Sequence, residues 1–104
     1  MSIKNEIIGW RTRLYVGAPN NTHRISVSYA KKINDWAASV KLQGYTVYRA
    51  TGYWQGQAED TAVIEVMGFR ITRHMISALR ATLGQEAIYM TMEKIRGALV
   101  QSPE

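Results

Sequence analysis

Two aromatic rings, two amides and two carboxylates lie around a single glycine in one short stretch of this 104-residue chain. The stretch covers residues 53–60 and reads Y-W-Q-G-Q-A-E-D. Aromatic ring faces attract positive charge, and a carboxylate pairs with an ammonium group. Tyr53, Trp54 and Glu59 together would therefore suit a small cationic ligand. The mixture is richer than a hairpin turn requires, and it predicts a polar ligand-binding loop between two strands.

Each candidate also has a simpler interpretation when it is taken alone. Tyr53 and Trp54 could be an aromatic pair at the edge of a sheet, and Glu59 and Asp60 could be the solvated end of a loop. The combination of aromatic rings with a carboxylate at the start of a strand favours a ligand-binding site. The candidate residues for such a site are Tyr48, Tyr53, Trp54, Glu59 and Glu65.

The surrounding sequence predicts the elements that position this stretch. Residues 45–53 are rich in β-branched and aromatic side chains, and residues 61–67 form an apolar run that only Glu65 interrupts, so both are expected to be strands. Residues 10–16 and 85–94 alternate with period two, which is typical of strands. Apolar residues at helical spacing predict helices over about 26–40 and 72–83, ended by Gly44 and Gly84.

The resulting order, β-α-β-β-α-β, is that of the ferredoxin-like or split βαβ arrangement, an α+β fold. We expect residues 1–104 to form one domain, with a four-stranded antiparallel sheet carrying both helices on one face. Val63, Met67, Ala87 and Tyr89 would then lie on the other face without cover. This predicts a homo-oligomer that packs sheet against sheet.

Composition excludes several classes of function. The absence of cysteine removes disulfides, thiol catalysis and thiolate metal sites, and His23 and His74 lack the spacing of metal ligands, so no metal is predicted. The net charge of +5 comes from scattered Lys and Arg residues, which favours a solvated surface over nucleic-acid binding. No apolar run reaches the length of a membrane span and the first residues lack a secretory hydrophobic region, so we expect a cytoplasmic protein.

Short segments in the latter half of the chain resemble the phage-encoded S-adenosylmethionine (SAM) lyases, formerly described as hydrolases. These segments read T-G-Y at 51–53, E-D-T-A-V-I at 59–64, A-L at 78–79 and Q-E-A-I-Y at 85–89. The resemblance implies a PII-like version of the ferredoxin-like fold. It also implies a homotrimer with ligand sites between subunits, acting in the host cytoplasm.

The resemblance further implies a reaction that needs no cofactor. SAM is cleaved to 5′-methylthioadenosine and L-homoserine lactone when the substrate's own carboxylate attacks the γ-carbon. Glu59 would pair with the substrate ammonium, and Tyr48, assigned by its place on the adjoining strand, would orient the same end. Further substrate-binding residues would be Tyr53, Trp54, Gln57, Asp60 and Gln85.

Two other functions are compatible with the sequence. A non-catalytic PII-like module that binds a nucleotide or another small ligand would use the same fold and cleft. A small basic nucleic-acid-binding protein is supported only by the net charge.

Overall fold

Four strands and two helices make up the part of the chain that this computed structural model describes, residues 2–19 and 21–101. They are β1 (Ser2–Gly17), α1 (Val27–Ser39), β2 (Thr46–Trp54), β3 (Gln57–Met67), α2 (Arg73–Leu83) and β4 (Tyr89–Gln101). The strands form one antiparallel sheet in the order β2-β3-β1-β4. The predicted element order and the ferredoxin-like α+β fold are therefore confirmed.

The core lies between the helices and one face of the sheet, here called the helix-bearing face. Alternate residues of β1 and β3 are buried there, including Leu14 and Ile64, because side chains on a strand alternate between its two faces. They pack in one apolar cluster with Ile33 and Trp36 of α1 and with Leu79 of α2. The indole N–H of Trp36 donates to the carbonyl of Met75 over 2.8 Å, which ties α1 to α2.

The opposite face, here called the open sheet face, carries apolar side chains and ion pairs. Tyr89 is 72% exposed and Met67 is 51% exposed, as expected for residues without cover. The prediction for Val63 was wrong, because it is only 2% exposed. Its cross-strand neighbours in register are Tyr15 and Tyr48, whose rings are large enough to shield it.

The predicted polar loop at residues 53–60 is wrong. Trp54 pairs with Gln57 across β2 and β3, so only Gln55 and Gly56 form the turn, with φ of 51° and 81°. Positive φ at both central residues is the geometry of the tight hairpin turns whose twist matches that of the strands. The polarity of this stretch therefore reflects strand ends exposed to solvent rather than a loop.

Gly84 ends α2 with a left-handed φ of 68°, as predicted, whereas Gly44 does not end α1. The left-handed residue after α1 is Lys41, with φ of 61°. The amide of Leu42 donates to the carbonyl of Ala37 over 3.0 Å, and Leu42 is buried. This is a Schellman ending in which the buried leucine closes the helix earlier than the glycine predicts.

Strand β1 begins earlier than predicted, at Ser2, whereas β4 begins later, at Tyr89, and continues to Gln101. Ala87 therefore precedes β4, and the prediction that it lies on the open sheet face was wrong. The two strands pair with each other from Ser2 and Gln101 to Tyr15 and Tyr89, with a register shift between Lys4 and Ile7. Within the described ranges, neither helix is long and apolar enough to cross a lipid bilayer.

Candidate active site

A groove of about 540 Å³ lies on the open sheet face, where β1 ends and the β2–β3 hairpin turns. Its volume is within the usual range for small-molecule sites. All four strands contribute to its walls. The residues that give it chemical character are Tyr15, Gly17, Tyr53, Trp54, Glu59 and Tyr89.

The carboxylate of Glu59 occupies space that Gly17 leaves open. Gly52 lies opposite Glu59 in the register of β2 and β3, but a Cβ atom there would meet Oγ1 of Thr61 at 2.7 Å and not the carboxylate. A Cβ atom at Gly17 would lie only 3.3 Å from Oε1 of Glu59, so the backbone of β1 approaches the carboxylate closely. Gly17 thus allows an acidic side chain to lie against the sheet at the mouth of the groove.

Glu59 has unused acceptor capacity. Its side chain is 26% exposed, and among the residues with described side chains, 9–19 and 21–98, no group donates a hydrogen bond to it. The nearest basic group is Nδ1 of His23, at 3.8 Å from Oε2. A partly buried carboxylate without donors can gain a charge-assisted hydrogen bond from a ligand ammonium.

A hydrogen-bond chain fixes the backbone against which Glu59 lies. The hydroxyl of Tyr29 donates to the carbonyl of Gly17 over 2.6 Å, and Nε2 of Gln85 donates to the Tyr29 oxygen over 2.9 Å. Burial raises the pKa of Tyr29, and the negative charge of Glu59 adds to this effect. Gln85 therefore lies behind the groove, where it supports Gly17, and not among the residues that line it.

Asp60 points to the helix-bearing face, away from Glu59. Its Oδ2 accepts hydrogen bonds from the amide of Ile25 over 3.1 Å and from Arg49 over 2.6 Å. These two donors, with Ile25 the stronger, hold the pKa of the Asp60 carboxyl below its ordinary value. Asp60 therefore has a structural role, because its hydrogen bonds join β3 to the segment that leads into α1.

The other predicted residues divide between the groove and its surroundings. Tyr53 and Trp54 both line the groove, but strand alternation directs only the Trp54 ring to the open sheet face, because Tyr53 pairs with Ala58. Gln57 lies in a smaller depression that it shares with His23. Tyr48 is four residues from Gly52 along β2, about 13 Å away at the rise of a strand. A single chain therefore does not bring Tyr48 to Glu59. Glu65 accepts a hydrogen bond from Arg13 over 2.7 Å, so that carboxylate is already paired.

Sequence reasoning missed four residues around Glu59, namely Tyr15, Gly17, His23 and Tyr89. Tyr15 and Tyr89 could have been found, because they pair in register on β1 and β4 and the strand alternation places both on the open sheet face. Their ring centroids are 6.2 Å apart in an edge-to-face arrangement. Gly17 and His23 gave no sequence signal, since their importance depends on how β1 and the following loop approach β3.

Comparison with known proteins identifies a structural relative. No family model matches the chain, and no curated protein matches its sequence. A solved structure described as a phage SAM lyase in the apo state is similar over 93% of each chain, with a TM-score of 0.53 and 14% sequence identity. At this identity the likeness establishes a shared fold. The family suggested by the short sequence segments is thus also one whose fold this chain resembles.

Proposed function

We propose that the protein is a SAM lyase that cleaves SAM to 5′-methylthioadenosine and L-homoserine lactone. The observation that carries the proposal is the Glu59 carboxylate, which lies at the wall of an aromatic groove without a hydrogen-bond donor from the described residues. The shared fold with a phage SAM lyase supports the same conclusion. SAM offers the matching chemistry, because it carries an ammonium, a sulfonium and an aromatic base.

The reaction requires no enzymic nucleophile. A carboxylate oxygen of the substrate attacks its own γ-carbon, the bond from that carbon to sulfur breaks, and the electron pair remains on sulfur as a neutral thioether. No proton is transferred in this step. The protein must hold the methionine part in the ring-closing conformer, and orientation of this kind can lower a barrier by several kcal/mol.

Each groove residue has a task in this scheme. Glu59 binds the ammonium group, which leaves the substrate carboxylate free to attack. The rings of Trp54 and Tyr89 offer faces to the sulfonium and the adenine. The carboxylate and the sulfonium neutralise each other as the lactone forms, so a groove that excludes water favours the transition state.

The same proposal includes a homotrimer whose open sheet faces point inward. The exposure of Met67 and Tyr89 supports it, since these apolar side chains would gain cover between subunits. Tyr48 lies on this face, outside the groove of its own chain. In the trimer its hydroxyl would orient a substrate held by Glu59 of a neighbouring subunit.

The test is to incubate the purified protein with SAM and to identify the products by mass spectrometry. We expect methylthioadenosine together with homoserine lactone. The reaction is repeated in oxygen-18 water and the lactone is trapped early. Unlabelled lactone supports attack by the substrate carboxylate, whereas label in newly formed lactone would show that water attacks.

Intact SAM at the end of the incubation would contradict the lyase. Saturable binding of SAM without turnover would then identify the groove as the site of a non-catalytic ligand-binding module.

A further inference from the structure

A second and larger cavity, of about 740 Å³, lies on the helix-bearing face at the other end of the sheet. β1, β4 and the segment leading into α2 enclose it. Along β1, Thr12 in this cavity is five residues from Gly17 in the groove, about 17 Å away at the rise of a strand. The two sites are therefore separate, and a trimer with its open sheet faces inward would leave this one accessible.

The walls of this second cavity are mainly apolar. Aromatic and flexible aliphatic side chains form them, and these residue types accommodate flat or extended hydrophobic ligands. The apolar wall residues are Trp10, Phe69, Ile71, Met90 and Met92. Trp10, Phe69 and Met92 are exposed to a degree that is unusual for such large apolar side chains, which indicates a surface that a ligand could cover.

The mouth of the cavity is positively charged. Arg70 and Arg73 line it, and none of the described side chains that line it is acidic. Over the part of the chain with described side chains, neither guanidinium lies within 4.0 Å of a carboxylate. The first turn of α2 contains no acidic residue and contributes the positive end of its helix dipole.

We propose that the cavity binds a small amphipathic organic acid. Its aromatic or aliphatic body would lie among the apolar walls, and its carboxylate or sulfonate would lie between Arg70 and Arg73. Charge complementarity makes SAM itself a poor occupant, because its sulfonium and ammonium would approach two guanidinium groups.

Two fluorescent probes that share one aromatic body and differ in a single sulfonate group test the proposal. They are 8-anilinonaphthalene-1-sulfonate, an anion, and N-phenyl-1-naphthylamine, which lacks the sulfonate. We expect the anion to bind with a Kd lower by about tenfold, equivalent to about 1.4 kcal/mol. This advantage should decrease as salt is added, since the arginines are at the surface.

The double variant Arg70→Gln/Arg73→Gln should abolish the difference between the probes. The matched control is Lys32→Gln/Lys41→Gln, which removes the same net charge at exposed positions on or after α1 and should keep the difference. Equal affinity of the wild type for both probes would overturn the proposal, and so would an unchanged preference in the arginine double variant.

Amide NMR shifts in the labelled wild-type protein identify where the anion binds. Shifts concentrated in residues 68–73 support the proposal, whereas shifts concentrated in residues 50–54 would place the probe in the groove and overturn it. Turnover of SAM by the arginine double variant should equal that of the wild type. The probe experiments do not depend on that activity, so they remain decisive if the protein is not a lyase.

Discussion

Nδ1 of His23 lies 3.8 Å from Oε2 of Glu59, and the backbone holds the two residues in this relationship. His23 has a left-handed φ of 59°, and its carbonyl accepts a hydrogen bond from the amide of Asp60 over 3.0 Å. The imidazole therefore lies beside the position that a substrate ammonium would take. The charge of residue 23 should control how well Glu59 binds a cation.

The first prediction is that His23→Arg raises the KM for SAM by about tenfold or more, because a permanent cation competes for the carboxylate. His23→Asn is the matched control, since asparagine tolerates a left-handed φ and is uncharged. It should change KM by less than about threefold, a difference under 1 kcal/mol. Steady-state kinetics on both variants provide the measurement, and an equal KM in the two would contradict the competition.

The second prediction is that Glu59→Gln lowers kcat/KM by about thirty- to a thousand-fold, or about 2 to 4 kcal/mol. Glutamine keeps the size and one acceptor but removes the charge that binds the ammonium. Circular dichroism should show an unchanged fold, because no described group donates a hydrogen bond to this side chain. Full activity in the variant would exclude Glu59 from the site.

Local patterns predicted much of this fold, and the reasons for the failures are physical. Period-two alternation identified β1 and β4, an apolar run identified β3, and Gly84 ended α2 as expected. The length of the hairpin loop was predicted wrongly because Gln57 and Glu59 are polar. Polar residues indicate exposure to solvent and do not exclude a strand. Gly44 was misjudged because burial of Leu42 ended α1 earlier.

The candidate site was harder to predict, because its geometry depends on contacts between distant segments. Glu59, Tyr53 and Trp54 are close in sequence and were identified together. Gly17 approaches Glu59 closely because of the register between β1 and β3. Asp60 accepts hydrogen bonds from Ile25 and Arg49 because of the path of the loop before α1. No local pattern encodes these relationships.

The third prediction concerns assembly. Tyr89→Asp should shift the mass measured by light scattering from trimer to monomer while the protein stays folded, because Tyr89 is exposed on the open sheet face. Val63→Asp is unsuitable, since Val63 is buried and a charge there would destabilise the monomer itself. Val27→Asp, at an 89% exposed position on α1, is the control and should remain trimeric. A monomeric wild type would refute the trimer.

The fourth prediction is a pH-dependent loss of stability in Asp60→Asn. The pKa of Asp60 is lowered in the folded protein, so its ionised form is the one that Ile25 and Arg49 stabilise. This stabilisation is complete above the ordinary value of 3.8 and is lost as the pH falls through the lower folded pKa. Thermal melts should show a lower Tm for the variant at pH 7 and converging Tm values in acid. A constant difference at every pH would contradict the assignment.

The last prediction tests whether the position of the Glu59 carboxylate matters, in addition to its charge. In Gly17→Ala the new Cβ would lie 3.3 Å from Oε1 of Glu59, so the carboxylate must move by a few tenths of an ångström. Small displacements of groups that orient a substrate lower the reaction rate, and we expect kcat/KM to fall by about three- to tenfold. Gly9→Ala is the matched control on the same strand, because its Cβ would meet nothing within 4 Å, and it should keep full activity. The Tm of both variants should stay near that of the wild type, which separates displacement of the carboxylate from unfolding. Equal activity of the two alanine variants would show that the reaction tolerates movement of Glu59, and that its charge alone is sufficient.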